Sequence, residues 1–98
     1  MTKVLCICAT GNTAPKLATA LAKIAGDEYE FSSATIRNFD DQISSADVVL
    51  VAGWARMFYS EIKEQMTDNQ LFMTFTMPDA RNPHTLMRRI DTALKVAN

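Results

Sequence analysis

The chain has 98 residues, 48% of them hydrophobic and 21% charged, and its formal net charge at pH 7 is −1. This length and apolar content fit a single domain with one core and exclude a disordered chain. A near-neutral charge without a Lys/Arg cluster argues against nucleic-acid binding, and no apolar run approaches the roughly 18 residues that cross a bilayer. The two cysteines are separated by a single residue, a spacing that disfavours a structural disulfide between them. No targeting signal is recognisable. We therefore expect one domain over residues 1–98 that is cytoplasmic and does not span the membrane.

The first half of the chain predicts two strands and two helices. The apolar run within Lys3–Cys8 has no polar alternation, which is typical of a central strand buried on both faces. The spacing of leucines and alanines predicts a helix at Thr13–Ala25, ended by Gly26. The segment Tyr29–Ile36 is rich in aromatic and β-branched residues but contains serines, and predicts a strand near an edge. Asn38 is expected to cap a short helix that follows it.

The second half predicts two further strand–helix pairs. Asp47–Ala52 is apolar after its first residue and predicts a second central strand. Apolar residues at helical spacing predict a helix at Arg56–Met66, and Leu71–Met77 predicts the fourth strand. Asn82 and Pro83 are expected to start the last helix as its N-cap and its first helical residue. The apolar residues expected to face the core from the short helix and the last helix are Phe39, Ile43, Leu86, Ile90, Leu94 and Ala97.

The alternation of strands and helices predicts an α/β fold. Four strand–helix repeats require parallel strands, right-handed crossovers and helices on both faces of one sheet. Because the first and third strands are the most apolar, we predict the order 2-1-3-4, similar to the low-molecular-weight phosphatase fold. Ligands of such sheets bind beyond the carboxyl ends of the strands, beside the first strand. The loops that start at Cys8, Gly53 and Pro78 are therefore the candidate site.

The loop between the first strand and the first helix carries the strongest chemical signal. Cys8 ends the strand and is followed by Ala-Thr-Gly-Asn-Thr-Ala-Pro. A thiol there faces unpaired backbone N–H groups and the positive end of a helix dipole, which favour a thiolate and a bound anion. The same position also fits a buried cysteine beside an ordinary turn, and Cys6, in mid-strand, is expected in the core. No further His or Cys stands nearby in the sequence, so we expect neither a metal nor a cofactor.

The segment Lys3–Leu17 resembles the N-terminus of enzyme IIB components of the bacterial sugar phosphotransferase system, of the lactose/cellobiose type. Their pattern is an apolar strand, then Cys-x-x-Gly-x-Ser/Thr, then a helix, and Cys8, Gly11 and Thr13 match it in place. The segment Ala46–Ala52 is similar to the third strand of that family, and the resemblance covers the whole chain. It implies a protein-phosphocysteine–sugar phosphotransferase in which Cys8 accepts a phosphoryl group from a phosphohistidine on enzyme IIA. The phosphoryl group then passes to a sugar held by the membrane component IIC.

The resemblance also implies that the loop after Cys8 binds the phosphoryl group. Where the family often has a run of small hydroxyl residues, this chain has Ala14 and Pro15. Pro15 removes one backbone N–H that could contact phosphate, so we expect a looser site. The residues assigned to phosphate binding are Ala9, Thr10, Gly11, Asn12, Thr13 and Ala14.

A phosphatase is the first alternative. Low-molecular-weight tyrosine phosphatases and arsenate reductases share the strand–Cys–loop–helix arrangement, but their Cys-x5-Arg-Ser/Thr pattern places an arginine where this chain has Ala14. Lys16 is the nearest cation and lacks the planar fork of arginine. Asp79 follows the fourth strand, where those enzymes place a general acid, but it also fits a turn or surface acid. The missing arginine favours a protein that passes the phosphoryl group to another acceptor over one that hydrolyses it.

The second alternative is a non-catalytic module that binds a partner, with Cys8 incidental. The candidate apolar docking patch lies just after the third strand, on the same edge as Cys8, and consists of Trp54, Met57, Phe58 and Tyr59. Trp54, in a Gly-Trp-Ala loop, is expected to be partly exposed, whereas Phe58 also fits core packing. If the chain is a phosphoryl carrier, its donor and its acceptor must bind one overlapping surface in turn. That surface is expected to include Asn12, Trp54 and the loop 78–82.

Overall fold

The sheet is built around the two most apolar strands. The structure is a computed structural model that describes residues 1–9 and 12–97, and within them the strands are β1 (Thr2–Cys8), β2 (Tyr29–Thr35), β3 (Val48–Ala52) and β4 (Leu71–Phe75). They form one parallel sheet in the order β2-β1-β3-β4. Every residue of β3 is buried, as a central strand requires. The α/β class and the strand order predicted from the sequence are confirmed.

Helices cover both faces of the sheet. The described residues contain α1 (Thr13–Ala25), α2 (Tyr59–Glu64), α3 (Met77–Arg81) and α4 (Pro83–Ala97), together with shorter 3-10 segments. Helices α1 and α4 pack on one face, and α2 packs on the other. Side chains alternate along β1 between the two faces, which divides the core into two buried clusters. The α1/α4 cluster includes Val4, Cys6, Cys8, Leu17, Leu21, Leu86 and Ile90, and the α2 cluster includes Leu5, Ile7, Phe39, Ile43 and Ile62.

Helix α1 has the bounds that the sequence predicts. Its last residue is followed by Gly26, whose φ of 74° lies in the left-handed region that residues with a Cβ rarely adopt. At the other end, the Lys16 N–H donates to the Asn12 carbonyl at 3.1 Å, which closes the first helical turn. The local signals of this helix were therefore sufficient to define it.

The segment after β2 is not the capped helix that was predicted. The Asn38 Oδ1 accepts a hydrogen bond from the Thr35 N–H at 2.8 Å and makes no cap bond. This local side-chain contact competes with helix formation. Two 3-10 segments, Phe39–Asp41 and Ile43–Ser45, follow instead, and the first residue of each is buried as predicted.

The connections on either side of β4 also differ from the prediction. A 3-10 segment, Gly53–Phe58, has non-helical dihedrals at Ala55, so that α2 begins only at Tyr59. Strand β4 ends at Phe75, before the predicted Met77, because the next residue caps the short helix α3.

Helix α4 begins at Pro83, as predicted. The Asn82 Oδ1 accepts a hydrogen bond from the Thr85 N–H at 3.4 Å, in the manner of an N-cap. At its other end Leu94 is half-buried and Ala97 is exposed, so the prediction that Ala97 packs in the core is wrong. These two residues line an open hollow of about 560 Å³ beyond the edge of the sheet, where too little chain packs over them. No helix of the described residues is long and apolar enough to cross a membrane.

Candidate functional site

Cys8 lies in a row of buried side chains at the carboxyl edge of the sheet, where the strands end. The pairing of Ile7 with Val51 places Cys8 level with Ala52, which in turn pairs with Phe75 of β4. Cys8, Ala52 and Phe75 are all fully buried in the cluster beneath α1 and α4. The sheet therefore brings the predicted nucleophile to the edge predicted from the sequence, beside the start of α1.

The Cys8 side chain is covered in this conformation, with an exposed fraction of 0%. Its carbonyl accepts a hydrogen bond from the Ile36 N–H at 3.1 Å, which ties the end of β1 to the end of β2. Complete burial is also what a core cysteine would show, so the position alone does not distinguish a nucleophile from a packing residue. A phosphoryl group can reach Sγ only if the atoms that cover it move.

The second cysteine is a core residue, as predicted. Cys6 is fully buried on the same face of β1 as Cys8, and neither of these residues takes part in a disulfide. Burial, and to a lesser extent the charge of Cys8, raises the pKa of the Cys6 thiol to about 12. Cys6 therefore stays a neutral thiol near neutral pH and is not a competing nucleophile.

The predicted phosphate-binding residues occupy the junction between β1 and α1. Ala9 is half-buried, Asn12 is exposed immediately before the helix, and Thr13 is its first, half-buried residue. Ala14 is fully buried in the same cluster as Cys8. The other two residues assigned to this site, Thr10 and Gly11, lie outside the described residues.

Among the described residues, the Asn12 side chain does not cap the N-terminus of α1. The first turn also contains no acidic residue that would neutralise the helix dipole. The backbone N–H groups of the first turn therefore do not donate a hydrogen bond to the side chain of the N-cap residue. Pro15, in that turn, is exposed and contributes no donor, as anticipated. The N-terminus of α3, by contrast, is closed by a side-chain cap.

The cap of α3 uses Asp79, the residue that a phosphatase would need as its general acid. Its Oδ2 accepts hydrogen bonds from the Thr76 N–H at 2.9 Å, from the Thr76 hydroxyl at 3.0 Å and from Arg89 Nη1 at 3.1 Å. The Asp79 N–H donates back to the Thr76 Oγ1 at 3.3 Å, which completes a capping box. These contacts give Asp79 a structural role and hold its carboxylate as an acceptor.

From the sequence, Asp79 fits either the general acid of a phosphatase or a turn or surface acid. The Thr-x-x-Asp spacing of Thr76 and Asp79 is itself a capping signal, but it lies within a segment with high strand propensity. Arg89 comes from α4, and its Nη2 also donates to the Thr74 carbonyl of β4 at 3.3 Å. No local pattern predicts this contact between distant parts of the chain.

Trp54 is exposed at the same edge of the sheet, as predicted. Its exposed fraction is 40%, and its ring packs edge-on against Phe75 with 5.5 Å between centroids. Phe58 is half-buried against the α2 cluster, which agrees with its assignment to core packing. Trp54 is therefore in contact with the buried row that contains Cys8.

Comparison with known proteins identifies the fold. No protein-family model matches the chain, and no curated protein matches it by sequence. Among solved structures, the chain is similar to the lactose-specific IIB component domain of the phosphoenolpyruvate:carbohydrate phosphotransferase system from Streptococcus pneumoniae. The TM-score is 0.74 at 20% identity, and the match covers 91% of this chain and 93% of that one. The fold is thus that of a IIB domain, in agreement with the resemblance that the Cys8 loop indicates.

Proposed function

We propose that the chain is a single IIB-type domain that carries a phosphoryl group in a sugar phosphotransferase system. Cys8 is the acceptor, enzyme IIA is the donor, and a sugar bound by the membrane component IIC receives the group in the cytoplasm. The observation that carries this proposal is the position of Cys8 at the carboxyl edge of a IIB-like fold, just before the N-terminus of α1, which the Asn12 side chain does not cap. The solved structure is that of a lactose-specific system, and the proposal for this chain names no particular sugar.

The first transfer moves the phosphoryl group from nitrogen to sulfur. The Cys8 thiolate attacks phosphorus, and the Sγ–P bond forms as the N–P bond of the donor phosphohistidine breaks. The bonding electron pair returns to the imidazole nitrogen, which takes up a proton that balances the one lost by the thiol. In the second transfer the Sγ–P bond breaks as a sugar hydroxyl oxygen bonds to phosphorus, and the hydroxyl proton is released.

The residues of this chain contribute alignment and charge stabilisation. Backbone N–H groups in the first turn of α1 and the Thr13 hydroxyl are the proposed donors to the phosphoryl oxygens, together with the assigned residues 9–12 and Ala14. A loose phosphoryl-transfer transition state needs mainly such positioning. Because Ala14 stands where phosphatases have arginine, no guanidinium binds the group bidentately.

The arrangement around Asp79 favours a carrier over a hydrolase. A phosphatase requires an acid that donates a proton to the leaving group, and Asp79 is engaged as an acceptor by Thr76 and Arg89. A carrier benefits from the absence of such an acid, because hydrolysis of the phosphocysteine would waste the transferred group. The capping box therefore supports relay.

The proposal is tested with two serine variants of the cysteines that share one face of β1. Cys8→Ser is expected to fold but to accept no phosphoryl group from phosphorylated enzyme IIA, because a serine hydroxyl stays protonated near neutral pH. Cys6→Ser is the matched control and is expected to be phosphorylated like the wild type, with some loss of stability from a polar group in the core. Intact-mass spectrometry after incubation with the donor measures acceptance, and circular dichroism confirms that each variant is folded.

Two results would contradict the proposal. Phosphorylation of Cys8→Ser at the wild-type rate would remove Cys8 as the acceptor. Rapid turnover of a small aryl phosphate by the wild-type protein would instead identify a phosphatase. Neither result depends on which sugar the system transports.

A further inference from the structure

Three exposed apolar side chains emerge from the two connections that follow β3 and β4. Trp54 and Met57 belong to the segment Gly53–Phe58, with exposed fractions of 40% and 81%, and Met77 begins α3 with 43%. Within the described residues the other large exposed apolar side chains are Met1 and Val96, both far from this edge of the sheet. Large apolar side chains grouped in this way are typical of a protein-binding surface.

These residues lie close to Cys8. Ala52 and Phe75 are paired, so the connections that carry Trp54 and Met77 leave the sheet side by side. Adjacent strands are about 4.8 Å apart, which puts the backbone of β4 about 10 Å from that of Cys8 on β1, across β3. A partner seated on these side chains would therefore hold a reactive group within reach of Cys8.

The charges beside the apolar side chains are positive. Arg56 and Arg81 are exposed in the same two connections, and the one acid there, Asp79, is neutralised by Arg89. At the opposite edge of the sheet, acidic residues stand immediately before β2 and β3 and three residues before β4. Those acids are Asp27, Glu28, Asp47 and Asp68. The two connections beside Cys8 therefore carry a net positive charge.

The surface is also preformed. The ring of Trp54 is fixed against Phe75, and α3 is held by the capping box and by the ion pair between Asp79 and Arg89. Binding to ordered side chains costs less conformational entropy than binding to mobile ones. Because the proposed donor is itself a protein that must bring its phosphohistidine to Cys8, we assign these side chains to a protein partner.

We propose that Trp54, Met57 and Met77, with Arg56 and Arg81, form the docking surface for the phosphoryl donor, and that the donor presents an apolar patch bordered by carboxylates. We call these five residues the Trp54 surface. This inference rests on the proposed function and adds the residues and the charge of the donor contact. Complementary charge accelerates encounter, and the apolar contacts then hold the two proteins together.

The test compares rates of Cys8 phosphorylation at limiting concentrations of phosphorylated enzyme IIA. The double variant Arg56→Glu/Arg81→Glu is expected to react about tenfold more slowly at low salt, and its deficit should shrink as salt screens the charges. Met57→Glu is also expected to lose about tenfold, because it places a carboxylate in the apolar centre. With excess donor, both variants should reach the same final phosphorylation as the wild type.

Matched controls stand at the far end of α4. Val96 has the same exposed fraction as Met57, 81%, and Lys95 is an exposed cation next to it, so Val96→Glu and Lys95→Glu make the same chemical changes away from Cys8. Both are expected to react at the wild-type rate. Circular dichroism of all variants verifies folding.

The outcomes separate this inference from the proposed function. If the wild type is never phosphorylated, the proposed function fails. If the wild type is phosphorylated but the variants of the Trp54 surface match the controls, the function stands and the docking surface is wrong. A salt-independent deficit would overturn the acidic character of the donor. A lipid-binding role would show two results together: the wild type binds phosphatidylglycerol vesicles and the variants do not, while all of them are phosphorylated at the same rate. That outcome would overturn the inference.

Discussion

Replacing Asp79 with alanine removes the carboxylate that holds Thr76 at the start of α3 and Arg89 of α4. The substitution breaks the capping box with Thr76 and the ion pair with Arg89. The N-cap bond from the N–H of residue 79 to the Thr76 Oγ1 stays in place, and loss of the reciprocal bond from the Thr76 N–H to the carboxylate costs about 1 kcal/mol. The Arg89 side chain is 44% exposed, so the ion pair adds no more than about 0.5 kcal/mol. We expect the free energy of unfolding to fall by about 1.5 kcal/mol in total.

The expected destabilisation is measurable in a domain of this size. At about 4–8 °C per kcal/mol, a loss of about 1.5 kcal/mol lowers the melting temperature by about 6–12 °C. Thermal and urea unfolding followed by circular dichroism measure the two quantities. Asp68→Ala, which removes an exposed acid from the loop before β4, is the control and should change stability by less than about 0.5 kcal/mol. Arg89→Ala leaves the capping box intact and removes the ion pair together with the exposed bond to the Thr74 carbonyl, so it should cost about 0.5–1 kcal/mol.

The same variant also tests the chemistry. If Asp79 is purely structural, folded Asp79→Ala accepts the phosphoryl group from enzyme IIA at the wild-type rate with excess donor. Loss of acceptance in a variant that is still folded would refute the structural role and return Asp79 to the reaction. A melting temperature within about 2 °C of the wild type would show that the capping box contributes little, against the magnitude worked out above.

Two further predictions concern stability. Burial raises the pKa of Cys6 from its ordinary 9.0 to about 12, so between these values the unfolded chain releases a proton that the folded chain retains. The free energy of unfolding should therefore fall as the pH rises above about 9, by up to about 1.4 kcal/mol per pH unit, and parallel urea profiles of wild type and Cys6→Ala would contradict this. The Tyr29 hydroxyl donates a hydrogen bond to the Asp91 carboxylate and so links β2 to α4. Tyr29→Phe should lower the urea unfolding free energy by about 1 kcal/mol, and an unchanged value would show that this bond contributes nothing net.

The architecture could be predicted because its signals are local. Two unbroken apolar runs, at the first and third strands, require burial on both faces, and only central positions in a parallel sheet provide it. The helix Thr13–Ala25 was predicted with its observed bounds, because its apolar spacing and Gly26 both act over a single turn. The position of Cys8 at the carboxyl edge follows directly from that order of strand and helix. The fold class and the candidate nucleophile were therefore accessible from the sequence.

Competition between local signals and distant contacts decided where the prediction failed. The segment Leu71–Met77 has strand propensity throughout. Thr76 nevertheless lies outside the strand, because it forms the capping box of α3 with Asp79, whose carboxylate also pairs with Arg89. Asn38 had an equally good cap signal, but its side-chain oxygen accepts a hydrogen bond from the nearby Thr35 N–H instead. A residue with a cap signal therefore has different roles according to which hydrogen-bond donor lies beside it.

The burial of Cys8 is the property that only the tertiary structure decided. The sequence places a thiol at the end of β1 and leaves open whether it faces solvent or core. Ala52, Phe75 and Leu86 come from segments far apart in the chain, and the fold gathers them into one buried cluster with Cys8. Side-chain exposure depends on which residues of other elements fill the space around an atom, and no spacing within one segment specifies that.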